Sequence, residues 1–106
     1  MRRGVIRSSE SIRNVIEIAD YIAQHNYTAA VRFLDAVETT CDFLAANHEV
    51  GQLCRFRNPE TEGLRVWQVE GFTKHLIFYR DTHEAVVIER VLHGARDLEN
   101  IFRTDR

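Results

Sequence analysis

The apolar positions of this chain change their period once, near Gly51. Before it they recur at helical spacing. Ser8, Ser9 and Ser11 offer N-cap hydroxyls, and Glu10 complements the dipole of a helix starting there. Ile12, Val15, Ile16, Ala19, Ile22 and Ala23 then form one stripe. Asn26 and Thr28 punctuate it. A second helix is predicted over about 28 to 46, with Ala30, Phe33, Leu34, Val37, Cys41, Leu44 and Ala45 on its buried side. The connection is short, so residues 9 to 46 should form an antiparallel helical hairpin. After Gly51 the period is two. Residues 64 to 70, 74 to 80 and 85 to 93 read as strands rich in β-branched and aromatic residues. Gly71 and the group Asp81, Thr82 and His83 sit in hairpin-length connections, which predicts an antiparallel meander. Residues 3 to 7 can add a short strand, and residues 53 to 58 (LCRFRN) read as strand or loop. Asp97 can cap a last short helix carrying Leu98, Ile101 and Phe102. The expected class is α+β: an N-terminal helical hairpin on one face of a small antiparallel sheet of three or four strands, with a short C-terminal helix.

Parity along the strands, read without a bulge, gives this sheet two faces. One holds Leu64, Val66, Leu76, Phe78, Val86, Ile88 and Leu92, and is apolar enough to receive the hairpin. The other holds Arg65, Trp67, Val69, His75, Ile77, Tyr79, Val87, Glu89, Val91 and His93. That second face is too apolar to be simply solvated and too polar for a closed core. Only the C-terminal segment remains to cover it, and an uncovered apolar and aromatic surface points to a partner. Arg65, Trp67, Ile77, Tyr79 and Val87 are the expected contacts.

Size and composition narrow the class without naming a function. The 106 residues predict one domain over residues 1–106, and 44% hydrophobic content with a single Pro and five Gly excludes a low-complexity chain. No apolar run approaches a membrane span, and the basic start lacks the apolar segment of a signal peptide, so a cytoplasmic protein is expected. Cys41 and Cys54 lack neighbouring ligands at metal-binding spacing and read as small buried hydrophobes. No metal or cofactor is expected.

The net charge of −2 conceals a segregation. Residues 8 to 50 hold seven acids against Arg13 and Arg32, while the first seven residues carry three arginines and no acid. Thirteen of the 14 basic residues are Arg, with Lys74 the exception. Arginine makes planar, bidentate contacts to carboxylates and tolerates partial burial, so this bias suggests specific pairing. Strong direct nucleic-acid binding, whose footprint is a clear positive excess, is not expected.

Residues 90 to 98, RVLHGARDL, carry the most chemistry in the shortest space. RNA cleavage through a 2′-hydroxyl needs a base, an acid for the leaving oxygen and cations for the phosphorane charge. Arg65, Tyr79, Arg80, His93 and Arg96 are candidates for such a set, and Arg65 should stand opposite Tyr79. The other reading is structural. His93 can bond a turn carbonyl before Gly94, Arg96 can reach a carboxylate or exposed carbonyls, and Asp97 caps the final helix. The structural turn of His93, Arg96 and Asp97 is the reading favoured here.

Two stretches resemble the RelE/ParE superfamily of toxins from bacterial toxin–antitoxin pairs: LRVWQVEGFTKHLIFYRDTHEAVVIERVLHGARDL and AAVRFLDAVETTCDFLAANHEVGQ. Within the first, LIFYR and RVLHGARD look like the ParE branch. One departure is the turn Asn47-His48-Glu49, where many members have Pro beside the position of His48. The resemblance implies helices on one side of an antiparallel sheet. It also implies a ParD-like antitoxin whose C-terminal segment wraps the toxin. For the ParE branch it implies poisoning of DNA gyrase by binding, and for the RelE branch cleavage of mRNA on the ribosome. The reading taken forward is a gyrase-binding toxin without chemistry of its own. The alternative is a ribosome-dependent endoribonuclease using Arg65, Tyr79, His93 and Arg96, and a third possibility is a relic that survives only as an interaction module.

Overall fold

A computed structural model describes residues 2–103. The chain runs β1 (Gly4–Arg7), α1 (Ser9–Ala23), α2 (Tyr27–Ala46), β2 (Gln52–Leu53), a 3-10 turn (Pro59–Thr61), β3 (Leu64–Val69), β4 (Phe72–Asp81), β5 (Ala85–His93) and α3 (Leu98–Ile101). The helical hairpin forms where the two stripes predict it. Ser8 caps α1, its Oγ accepting from the Ser11 N–H at 3.0 Å, and Asn26 caps α2 by accepting from Ala29 N–H at 3.0 Å. Gly71 turns β3 into β4 at φ +78°, a conformation that only glycine adopts freely.

The sheet has five strands in the order β1-β5-β4-β3-β2. β3, β4 and β5 pair antiparallel as expected, and β2 adds two antiparallel residues where the sequence read as strand or loop, but β1 lies parallel to β5, Gly4 beside Ala85 and Arg7 beside Ile88. The sheet is therefore mixed rather than purely antiparallel. Four extended residues carry no sign of their partner's direction, which the crossover through the hairpin imposes.

The hairpin packs on one face, but not the one parity suggested. Phe33, Val37, Cys41 and Leu44 of α2 and Ala19 of α1 share a core with Val69, Ile77, Tyr79, Val86, Ile88 and Val91. Leu64, Phe78 and Leu92 lie on the opposite face, where Val66 and Leu76 join Cys54, Phe56, Leu98, Ile101 and Phe102. Both faces are thus covered from within the chain, the second by the 54–56 segment and the C-terminal helix. A bulge explains why Val86 and Ile88 left the expected group. Phe78 pairs with Arg90 but Tyr79 pairs with Ile88, so Glu89 is an extra residue and the parity of β5 inverts there. Val87, before the bulge, faces away from the helices.

The buried side of α1 also differs from the expected stripe. Ile12 and Ile16 are 47% and 54% exposed, and the buried line runs instead through Ser11, Asn14 and Ala19. The polar members of that line have partners at the bulge and the cap. Asn14 Oδ1 accepts from Val91 N–H at 3.1 Å and Arg90 Nε at 3.0 Å, while Ser8 Oγ donates to the Glu89 carbonyl at 2.7 Å. On α2 the expected buried set holds except for Leu34, which is exposed. No helix among the described residues is long and apolar enough to cross a membrane.

Candidate functional site

The end of β4 nearest the α2–β2 turn holds Arg65 and Tyr79 of the candidate residues, while His93, Arg96 and Asp97 lie at the other end of the sheet. Arg65 and Tyr79 stand opposite each other, as the strand count predicts. Tyr79 is fully buried. Its hydroxyl donates to the His48 carbonyl at 3.0 Å and accepts from Gly51 N–H at 2.8 Å. A Cβ on Gly51 would meet that hydroxyl at 2.5 Å, so glycine is required by the ring beneath it. Arg65 donates to the carbonyls of Glu49 (3.1 Å) and Gly51 (2.7 Å). Burial pushes the phenol pKa above the usual tyrosine range, and the Gly51 N–H and the Arg65 charge draw it back only in part. The hydroxyl is therefore neutral, with both its hydrogen-bonding roles taken by the turn.

His93 lies far from this cluster. It pairs with His75, and Tyr79 is four positions further along β4. At about 3.3 Å per residue that separates them by roughly 13 Å. The His75 and His93 rings meet edge to face at 5.1 Å. Burial, then the nearby His93, lowers the pKa of His75, which also packs against Phe33 and Phe72. His93 Nδ1 accepts from Ala95 N–H at 3.0 Å, Gly94 N–H reaches the Lys74 carbonyl at 2.8 Å, and Asp97 Oδ1 accepts from Asn100 N–H at 3.3 Å. Arg96 enters this turn only through its backbone N–H, 3.1 Å from the His93 carbonyl. Its exposed guanidinium makes no bond among the described residues, against the role expected for it.

The expected partner face does not exist as one surface. Ile77 and Tyr79 are 0% exposed beneath the hairpin, Arg65 is occupied at the turn, and Val87 points to the other side. The helices cover this face, where Val69, Ile77, Tyr79 and Val91 join the core of the hairpin and Trp67 packs at its margin. Trp67 alone remains a surface candidate, stacked on Phe43 with ring centroids 5.7 Å apart. Phe43, Val50 and Leu53 are all at least 40% exposed, and Val50 shares a shallow depression with Trp67. A second apolar group, Ile12, Ile16, Val31 and Leu34, lies exposed on the hairpin.

The near-exclusive use of arginine has an internal explanation. Arg3 pairs with Asp81 at 3.4 Å, Arg7 with Glu38 at 2.9 Å and Arg80 with Glu89 at 3.0 Å. Arg80 also reaches the carbonyls of Glu62 and Glu60, joining the segment before β3 to the sheet. These planar forks staple loops and a helix to strands, a geometry the lysine ammonium does not offer.

Sequence reasoning missed Asn14, whose buried amide sits where the stripe reads polar, and the pairing of His48 with Asp81. His48 Nδ1 lies 2.9 Å from Asp81 Oδ2, and Glu49 brings a third ligating group, all within 4.8 Å of one another. Spacing along the chain holds no sign of this group, because Asp81 arrives from the far end of β4.

Compared with known proteins, residues 5–98 match the family model for the ParE toxin of the type II toxin–antitoxin system parDE. Among solved structures the chain is similar to the chromosomal ParDE toxin–antitoxin system from P. aeruginosa, at TM-score 0.71 and 14% identity, over 87% of this chain and 96% of that one. It is also similar to the E. coli DinJ-YafQ toxin–antitoxin complex, at TM-score 0.58 and 16% identity, over 90% of this chain and 96% of that one. At these identities the likeness is one of fold. No curated protein sequence matches the chain.

Proposed function

The chain belongs to the ParE toxin family of type II toxin–antitoxin systems, and from that premise we propose that it acts by binding DNA gyrase rather than by cleaving RNA. One observation carries the choice: the residues that would form a nuclease set are dispersed, and all but Arg96 are occupied. Tyr79 is sealed in the core, Arg65 is bonded to backbone carbonyls, and His93 braces a turn at the other end of the sheet. General acid–base catalysis needs its groups convergent within hydrogen-bond reach of one reacting phosphate. A toxin that works by occupying its target needs only surface. The target places its action in the cytoplasm.

The neutralising partner is a ParD-like antitoxin, and its proposed seat is Trp67, the part of the expected contact face that remains accessible, together with Phe43 stacked on it. Aromatic anchors of this kind typically cost about 2 kcal/mol or more when truncated. The deciding experiment incubates purified toxin with gyrase and supercoiled plasmid, beside a translation reaction. Linear plasmid released by protease is the expected result. Codon-boundary mRNA cuts with gyrase unaffected would replace this reading with the endoribonuclease. For the antitoxin, Trp67→Ala and Phe43→Ser should weaken binding while Ile16→Ser and Leu34→Ser should not, and the reverse pattern would move the seat to the hairpin.

A further inference from the structure

The turn from α2 to β2 and the end of β4 bring together three ligating side chains that neither gyrase binding nor antitoxin docking uses. His48 and Glu49 are adjacent in the chain, and Asp81 closes β4 beside them. The 2.9 Å between His48 Nδ1 and Asp81 Oδ2 is close to the spacing of two neighbouring ligands on one ion, about 3.0 to 3.4 Å for bonds near 2.1 Å. Glu49 needs only a rotation of an exposed side chain to complete a three-ligand face. Its carboxylate makes no hydrogen bond or ion pair among the described residues, so it is surplus to the His–Asp contact.

The scaffold beneath is held from several directions. Tyr79 and Arg65 hold the carbonyls of His48, Glu49 and Gly51, which fixes the backbone that presents two of the ligands. Asp81 is fixed through its other oxygen: Arg3 Nε lies 3.4 Å from Oδ1 and 3.0 Å from the Thr82 carbonyl. Partners of this kind orient a carboxylate for a metal and leave the second oxygen free to bind.

The geometry points to a binding site for a divalent transition ion of the zinc class, held by His48, Glu49 and Asp81 with water in the remaining positions. An imidazole ligand selects zinc, nickel or cobalt over magnesium and calcium, which prefer all-oxygen sites. The two carboxylates neutralise the ion, and the His48 imidazole supplies the nitrogen ligand. The ion would clamp the α2–β2 turn to the end of β4 and, through Arg3, to the strand at the N-terminal edge.

The test is calorimetric titration of the full-length toxin with zinc chloride, together with melting curves with zinc and after chelation. Saturation at one ion per chain and a rise in Tm that the chelator reverses are expected, with magnesium inert. Glu49→Gln, which disturbs no bond in the fold, should leave the metal-free Tm unchanged and weaken zinc binding about tenfold or more, and His48→Gln should weaken zinc binding at least as much. No saturable zinc uptake by the wild-type protein, or equal affinity in wild type and Glu49→Gln, would overturn the assignment.

Discussion

Asn14→Leu tests the claim that α1 is anchored to the sheet through the β5 bulge. Asn14 is 8% exposed, and its one carbonyl oxygen serves both the Val91 N–H and Arg90 Nε. Val91 is fully buried, so leucine would leave its N–H without water or a partner. That loss is worth about 1–3 kcal/mol. Arg90 is only half-buried and can turn its guanidinium to solvent, which adds little. The expected destabilisation is therefore about 2 kcal/mol, a drop in Tm of roughly 10 °C for a chain of this size. Urea unfolding followed by the fluorescence of the single tryptophan, Trp67, measures it, with the midpoint moving and the slope unchanged. Asn14→Asp keeps an acceptor in the same place and should lose much less. If Asn14→Leu stays within about 0.5 kcal/mol of the wild type, surface-like in its effect, the bulge is not held by this side chain and the account of α1 fails.

The turn after β5 separates two residues that look equivalent in sequence. His93→Ala should cost about 1 kcal/mol, because Ala95 N–H loses its acceptor and the ring leaves His75, while Arg96→Ala should fall within about 0.5 kcal/mol of the wild type; unchanged Tm in both with abolished RNA cleavage would make the protein a nuclease. His75 predicts a pH dependence: burial and His93 lower its pKa in the folded chain, so below about 6.5 the unfolded chain binds a proton that the folded chain resists. Stability should then fall as pH drops below that value, by at most about 1.4 kcal/mol per pH unit for one proton, and His75→Gln should flatten the slope in urea melts between pH 7.5 and 5; an unchanged slope would remove His75 as its source.

The elements were legible where one physical demand governed the residues. α2 buries Ala30, Phe33, Val37, Cys41, Leu44 and Ala45, with Thr40 the one polar member, and its stripe could be read directly. α1 could not, because two of its buried positions answer to hydrogen bonding rather than to apolar area. Ser11 donates back to the Ser8 carbonyl at 2.8 Å, and Asn14 serves the bulge. A stripe drawn through Ile12 and Ile16 is therefore rotated toward solvent.

The misplaced site has the same origin. Both faces of the meander are apolar, so alternation alone does not say which one takes the helices, and the extra residue at Glu89 exchanges the faces partway along β5. The trace of that bulge is present in the chain: Glu89 and Arg90 stand together between Ile88 and Val91, two charged residues where strict alternation allows one. Once the faces are exchanged, the aromatic and arginine residues that suggested an uncovered surface become core and staples, and the chemistry left over collects at the ends of strands. His48 and Asp81 meet there through a contact between a helix-ending turn and a strand end that no local pattern encodes. In this fold a ligand set can assemble where the chain shows no motif, because the antiparallel pairing of β3 and β4, which sets Tyr79 against Arg65, carries Asp81 to the turn that those two residues hold.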